Sequence, residues 1–348
     1  MKPIIRVGML SYGMSGKVFH APLLNVNPGY VISKIMQRTR NDALDRYPYT
    51  QIVREPSEII DDPQIDLVLV NTPDHTHFMY CKAALEAGKH VVVEKPFVLE
   101  IEEGVCLIKL AEKKGKILTI FQNRRWEGDF LTIRKIIESK LLGRLVEFEA
   151  HFDRYRNYIR DSWKENPENK TGILYNLGSH LIDQALVLFG MPKAVYGNIR
   201  KQRTSSQVDD FFELDLIYPD VKVTLKGSYL TREPGPRFIL HGTEGSFVKY
   251  STDPQEEALT KGHSPDEPNW GTEPEEKWGL LNTTINSLHY RGKIETLPGC
   301  YQEFYNRLFA TIIDGQELAV KPAESLNGIR IIKAAYESCE KCCAILTK

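Results

Sequence analysis

Ile4–Ile5–Arg6–Val7–Gly8–Met9–Leu10, Ser11–Tyr12–Gly13–Met14–Ser15–Gly16 and Lys17–Val18–Phe19–His20–Ala21–Pro22–Leu23–Leu24 run consecutively near the start of the chain. The first run is apolar, rich in β-branched residues and long enough for one buried strand. Small residues then break it, and apolar residues resume in a helical pattern. Strand, small-residue turn and helix suit a diphosphate, because backbone can approach the phosphates and the helix N-terminus offers N–H groups and a positive dipole end. The usual fingerprint is G-x-G-x-x-G, and here Ser11 stands at its first position. Small-residue turns are common, and this one gains meaning only inside a β-α-β unit.

The remainder of the N-terminal third alternates in the way such units require. Residues 30–36, 51–53, 65–70, 90–93 and 117–121 read as five further strands. Residues 76–87 read as a helix closed by Gly88, and 100–114 as another that ends in Lys113–Lys114–Gly115. Cations followed by Gly suit the negative end of a helix dipole. Repeated β-α-β with nearly continuous apolar strands means a parallel sheet covered on both faces. In that context the glycine turn is a dinucleotide site.

Beyond residue 121 the texture changes. A helix is expected over 129–139, with Asp129 or Gly128 near its N-cap, a half-exposed strand over 145–154, and a helix over 179–189 ended by Gly190. Four or five strand-like runs lie between 194 and 251, joined by short turns, which suggests an antiparallel sheet. Residues 253–299, rich in Pro, Glu, Gly and Asn, read as a long surface excursion, and helices are expected over 301–314 and 323–346. The fold class is therefore α/β. An N-terminal Rossmann domain over 1–122 precedes an α+β domain over 123–348, built on a large open, mainly antiparallel sheet.

Bulk properties narrow the function. With 348 residues and 42% apolar and 26% charged content, the chain has room for two ordinary globular domains. A net charge of −1 gives no basic field for nucleic acid or an anionic membrane. No run approaches a membrane span and no signal-peptide core is present, so the cytoplasm is the expected compartment. Six cysteines are too few for a disulfide framework in a chain this long. Cys339, Cys342 and Cys343 cluster without a nearby His, and His75-x-His77 is too short a spacing for two ligands on one helical face. No metal is expected. The sequons at Asn169 and Asn282 carry no meaning without a secretory signal.

Several residues can carry chemistry. Glu94–Lys95–Pro96 ends the fifth strand, at the edge where open α/β sheets bind ligands. A partly desolvated Lys95 can hand a proton to or from a substrate oxygen, or it can be a snorkelling surface lysine. Pro96 can fix its geometry through a cis bond. In Asn176–Leu177–Gly178–Ser179–His180 the imidazole is a candidate proton acceptor at a helix start, whose dipole favours the neutral form, or a core histidine satisfied by Asp183. The second strand runs into Gln37–Arg38–Thr39–Arg40, with no acid for the ribose hydroxyls of NAD. Two arginines and a threonine suit a 2′-phosphate, so NADP(H) is preferred over NAD(H). Asn123–Arg124–Arg125–Trp126 and Arg154–Tyr155–Arg156 offer groups for a polyhydroxylated substrate. Trp163 and Tyr175 are cleft walls or core aromatics.

Taken together these motifs resemble the Gfo/Idh/MocA oxidoreductases, and within that family its branch of NADP-dependent scyllo-inositol dehydrogenases. The likeness runs through Phe19–His20–Ala21–Pro22, Thr72–Pro73–Asp74–His75–Thr76–His77, Ala87 to Pro96, Asn123 to Trp126, Gly178 to Asp183, His241 to Ser246 and Ile329 to Ile332. The resemblance implies that nicotinamide lies over the face of the C-terminal sheet, that Lys95 is catalytic, and that His180 is the general acid/base and meets substrate. It implies a C-terminal domain that binds substrate and oligomerises, and cofactor contacts from Thr72, Pro73, His77, Glu94, Lys95 and Asn123 beside those expected from Ser11, Tyr12, Gly13, Met14, Ser15, Gly16, Arg38, Thr39 and Arg40. Substrate contacts are expected from Arg124, Arg154, Tyr155, Trp163 and Tyr175, and a homo-oligomer through the open sheet. The family's catalytic Asp, four residues before the His, is Asn176 here; an amide can hydrogen-bond but cannot support an imidazolium. The expected reaction interconverts a secondary alcohol and a ketone on a cyclitol or sugar, with scyllo-inositol the leading substrate. Another NADP-linked sugar or ketone reductase, or a regulator that binds dinucleotide without turnover, are the alternatives.

Overall fold

The computed structural model describes residues 3–160, 165–166 and 171–347. Two compact units emerge: Met1–Trp126 with Pro254–Trp270 and Cys300–Leu326, and Glu127–Asp253 with Gly271–Gly299 and Asn327–Lys348. The first therefore takes in more of the chain than the segment 1–122.

Six parallel strands form the centre of the first unit: β1 (Ile5–Met9), β2 (Tyr30–Met36), β3 (Gln51–Val53), β4 (Leu67–Val70), β5 (His90–Val93) and β6 (Leu118–Ile120). Every residue of β4 is buried, as are Val91, Val92 and Val93, because a parallel sheet is covered on both faces. Around it lie α1 (Ala21–Asn25), α2 (Ser57–Ile60), α3 (His77–Glu86) and α4 (Ile101–Lys114). Glu100 and Glu103 close a reciprocal capping box at the start of α4, and Gly115, left-handed at φ 61°, ends it. Strand order is β3-β2-β1-β4-β5-β6. The order reverses between β1 and β4, and ligands of such sheets bind outside the strand C-termini at that switch point.

In the second unit α5 (Gly128–Glu138) follows Glu127, which takes the N-cap place expected of Asp129 or Gly128. Nine strands then form one sheet: β7 (Leu145–His151), β8 (Ala194–Arg200), β9 (Phe211–Ile217), β10 (Lys222–Ser228), β11 (Phe238–Gly242), β12 (Gly245–Lys249), β13 (Gly279–Ile285), β14 (Leu288–Ile294) and β15 (Ile345–Leu346). Their order is β14-β13-β12-β11-β7-β10-β9-β8-β15, antiparallel throughout except between β7 and β10. Phe148, Phe212, Leu214, Phe238, Leu240 and Phe247 bury one face. The helix α6 (Ser179–Phe189) lies between β7 and β8 in sequence.

Two expectations need correcting. Residues 253–299 are no mere surface excursion: they contain α7 (Gln255–Thr260) and the hairpin β13–β14, which extends the sheet. Its turn, Asn286–Ser287, has φ 51° and 65°, as a tight primed turn requires. Nor does the last helix run to residue 346. After α8 (Gln302–Asp314), α9 (Pro322–Lys341) stops where Cys342 turns left-handed at φ 52°, and Ile345–Leu346 pairs with β8. Residues 327–341 of α9 belong to the second unit, where Gly197 of β8 donates to Ser338 Oγ at 3.0 Å. Among the described residues no helix is long and apolar enough to cross a membrane, and no His/Cys/Asp/Glu group is arranged to hold a metal. All six cysteines are free thiols.

Candidate active site

The residues expected to hold a dinucleotide follow the C-terminal ends of their strands in the parallel sheet, most on the connecting turns and His77 at the start of α3. After β1, residues 11–15 are accessible and Gly16 is buried. A Cβ on residue 16 would lie 2.8 Å from Ser11 O and 3.0 Å from Asn71 Nδ2, so only glycine lets the turn close. Asn71, after β4, donates to Ser11 O at 2.9 Å and ties the two switch-point loops together. Ser11 replaces the first fingerprint glycine without strain: its Oγ accepts the Gly13 N–H at 3.1 Å. A wide π-type turn, Gly16–His20, then leads into α1. Such turns recur at functional sites. Close backbone approach and a following helical N-terminus fit a diphosphate.

After β2, Arg38, Thr39 and Arg40 are exposed, and neither arginine has an ion pair among the described residues. Their loop is braced by Arg54, which donates to Gln37 O, to Arg40 O at 2.8 Å and to Asn41 Oδ1 at 2.6 Å. The nearest acid, Asp42, is committed to Lys17 and Gln37, whose hydrogen bonds hold its carboxyl below the usual range. After β4, Thr72 Oγ1 meets Thr76 Oγ1 at 2.6 Å beside Pro73. His77, fully buried, spends its ring nitrogens on Pro96 O (2.9 Å) and Thr72 O (3.1 Å), so it acts behind the surface of the site.

After β5 the Lys95–Pro96 bond is cis, as the sequence allowed, and Lys95 is half-buried. Glu94 points inward. Burial pushes its carboxyl up, but the His20 hydrogen bond and the nearby positive charge of Lys95 outweigh that and hold it below the ordinary range. After β6, Asn123 and Arg124 are buried, and Arg124 pairs with Glu256 at 2.5 Å. Arg125 pairs likewise with Glu324 at 2.8 Å. Both guanidiniums carry an ion pair within the first unit.

In the second unit a wide turn, Leu174–Gly178, runs directly into α6, so Asn176 and His180 share one helical run. His180 is therefore not at a free helix start. The run begins near Ile173, and the expected dipole effect on His180 falls away, because it is confined to the first turn. What caps the run is Asp209, whose backbone O accepts from Ile173 N and whose Oδ2 accepts from Leu174 N, both at 2.9 Å. A Cβ on Gly172 would lie 1.9 Å from Asp209 Oδ1, so glycine admits the cap. Burial pushes the Asp209 carboxyl up, against the hydrogen bond from Tyr336 at 2.6 Å.

Asn176 Nδ2 donates to Tyr229 Oη at 3.2 Å. The Tyr229 ring is flanked by two guanidiniums, Arg156 at 4.9 Å and Arg203 at 5.0 Å from its centroid. Arg203, its side chain fully buried, binds Asp210 (3.0 Å), Glu165 (2.9 Å) and Tyr158 O (2.8 Å). These bonds outweigh burial and raise its already high pKa. His180 and Asp183 are both buried in α6. Among the expected substrate residues, Arg154 lies over Phe152, and Tyr155, 43% exposed, accepts from Arg232 at 2.9 Å. Tyr175 is buried against Tyr336, a core aromatic. Trp163 lies outside the described residues. Tyr229, Arg203 and Asp209 escaped the sequence reading, since nothing local distinguishes them; His20 stood in a quoted motif but was given no role.

Comparison with known proteins identifies the family of both domains. Residues 5–122 match the model of the oxidoreductase family's NAD-binding Rossmann fold, and 134–342 that of its C-terminal alpha/beta domain. The chain is 42% identical over 334 residues to the scyllo-inositol 2-dehydrogenase (NADP(+)) IolW of Bacillus subtilis, covering 96% of this chain and 93% of that one. A solved oxidoreductase from Bacteroides fragilis is 49% identical with TM-score 0.92, covering 99% of each chain. The Bacillus subtilis oxidoreductase yvaA is 41% identical with TM-score 0.97, covering 100% of this chain and 99% of that one. With a glycine turn at the switch point of its parallel sheet and matches to both family domains, the chain belongs to the Gfo/Idh/MocA oxidoreductases, nicotinamide-dinucleotide enzymes acting on CH–OH donors.

Proposed function

We propose that the protein is an NADP-dependent dehydrogenase that interconverts scyllo-inositol, or a closely related cyclitol or sugar, with its ketone. The observation that carries the cofactor part is the pair Arg38 and Arg40, exposed on a braced loop with no acid free to bind the ribose. The substrate part rests on the likeness to an enzyme named for scyllo-inositol. Bound nicotinamide supplies the hydride acceptor or donor. In this reading Lys95 donates a hydrogen bond to the reacting oxygen and stabilises its developing negative charge, while His180 takes or returns the hydroxyl proton. Asn176 holds a hydroxyl of the substrate, its amide oriented by Tyr229 Oη. Arg154 and Tyr155 contact the polyol.

A homo-oligomer through the outer face and edges of the sheet is part of the same proposal. It is supported by Tyr196, Ile217 and Leu346, which are exposed there although apolar. Free thiols throughout fit the cytoplasm. The test is NADPH consumption against scyllo-inosose, other inososes and simple ketoses. A kcat/KM for scyllo-inosose no better than for simple ketoses removes the inositol assignment. Tight NADPH binding without turnover of any of them favours a dinucleotide-binding regulator.

A further inference from the structure

We propose that His20 and Tyr305 are positioning residues for Lys95, acting through Glu94; the proposal rests on the reading of Lys95 as catalytic. His20 ends the turn after the phosphate loop, and its ring is wholly buried, tilted against Phe121 at 4.2 Å. Nε2 lies 2.9 Å from Glu94 Oε1 and Nδ1 lies 2.7 Å from Tyr305 Oη. An ionised carboxylate only accepts, so Nε2 carries hydrogen. In the neutral ring Nδ1 is then the acceptor, and the Tyr305 hydroxyl donates to it. The second Glu94 oxygen accepts the N–H of Lys95 itself at 3.1 Å. One carboxylate thus links a buried imidazole to the backbone from which the lysine side chain leaves.

The other flank is held in the same way. Pro96 O accepts from His77 Nδ1 at 2.9 Å, so the turn 94–96 is fixed on both sides by buried imidazoles. The titratable groups facing Glu94 are His20, Tyr305, His77 and Lys95. Neither His20 nor Tyr305 is exposed, so neither can touch a ligand. Burying a carboxylate and an imidazole is costly where apolar residues would pack as well, and a fully satisfied polar chain fixes one geometry. Tyr305 is itself anchored, since its O accepts the Tyr30 hydroxyl at 2.9 Å.

The test uses Tyr305→Phe, His20→Leu, His20→Gln and Glu94→Gln, with Lys95→Met as reference. Displacing a catalytic group slightly lowers the chemical step, so Tyr305→Phe and His20→Leu should lower kcat on the order of ten-fold with KM for NADPH nearly unchanged. His20→Gln, which keeps a donor for Glu94, should recover much of the loss. His20→Leu should add little in the Glu94→Gln background, because the two act in one chain. A second readout needs no turnover: trace acetic-anhydride labelling of Lys95 against pH, read by mass spectrometry on protein without added cofactor. Loss of the carboxylate charge should move the Lys95 titration to lower pH in Glu94→Gln, whereas His20→Leu, which keeps that charge but removes the donor competing for it, should move it to higher pH. Unchanged labelling and unchanged kcat in folded Tyr305→Phe and His20→Leu, with Lys95→Met inactive, would overturn the proposal. An active Lys95→Met would instead remove the catalytic reading of Lys95, while the labelling arm still decides whether the chain reaches it.

Discussion

Replacing Arg38 and Arg40 together by Ala tests the cofactor reading most directly. The two guanidiniums are exposed and lack ion pairs among the described residues, and Arg54 holds their loop through two backbone carbonyls and Asn41. The entropy of ordering that loop is therefore largely spent before a ligand arrives. A charge-assisted hydrogen bond contributes about 1.5–3 kcal/mol, and exposure to water and salt moves each arginine toward the low end. Together they should contribute about 2–4 kcal/mol to holding a 2′-phosphate, or roughly 30- to 1000-fold in Kd. NADH has no such phosphate, so its Kd should stay within about two-fold, below 0.5 kcal/mol. Fluorescence titration with NADPH and NADH gives both constants, and competition with 2′,5′-ADP isolates the phosphate from the nicotinamide. The parent's preference should also shrink as salt is raised. Equal NADPH and NADH constants in the parent, or a double variant that weakens both alike, would refute the reasoning.

Lys95→Met should abolish turnover with NADPH affinity near the parental value; a variant that keeps most of its kcat makes the lysine structural. Asn176→Asp places a carboxylate beside Tyr229 and its two flanking guanidiniums, where it stays ionised. If it also reaches His180, it should raise the pKa of that base, so the acidic limb of kcat/KM for alcohol oxidation should move up by as much as about one pH unit. Superimposable pH profiles would uncouple residue 176 from the base. His90 accepts the Ile117 N–H on Nδ1, and burial, with Lys116 nearby, lowers its pKa to about 4. A depressed folded-state pKa gives stability that is present above the ordinary value of about 6.5 and lost as pH falls toward 4. In His90→Gln the part of the Tm decline falling in that window should be smaller than in the parent, and parallel Tm–pH curves would contradict it.

Much of the first unit was legible because its signals are local. β-branched runs of strand length, Gly88 and Gly115 after their helices, and the small-residue turn each act within a few residues of chain. A cis bond at Lys95–Pro96 was admissible from the sequence, because X–Pro bonds are those in which cis costs little, but only the fold selected it. The hairpin β13–β14 was not legible. Every residue of β14 from Leu288 to Arg291 is exposed, so an edge strand there carries no apolar alternation to read. The dipole argument for His180 failed because Gly178 looked like a helix boundary, whereas Asp209, 35 residues further on, caps the helix nearer Ile173.

By itself the sequence determined a nucleotide-binding sheet, the strand edge that carries Lys95, and a loop with arginines in place of an acid. Those arise from side-chain period, turn chemistry and charge, which neighbouring residues express together. Tertiary structure alone decided which polar groups are spent on one another. His20 meets Glu94 across 74 positions and Tyr305 across 285, Asn176 meets Tyr229 across 53, and Arg124 is taken by Glu256 across 132. A buried donor or acceptor must find a partner or lose its hydration uncompensated, and that partner is chosen by proximity in the folded chain, not by spacing along it.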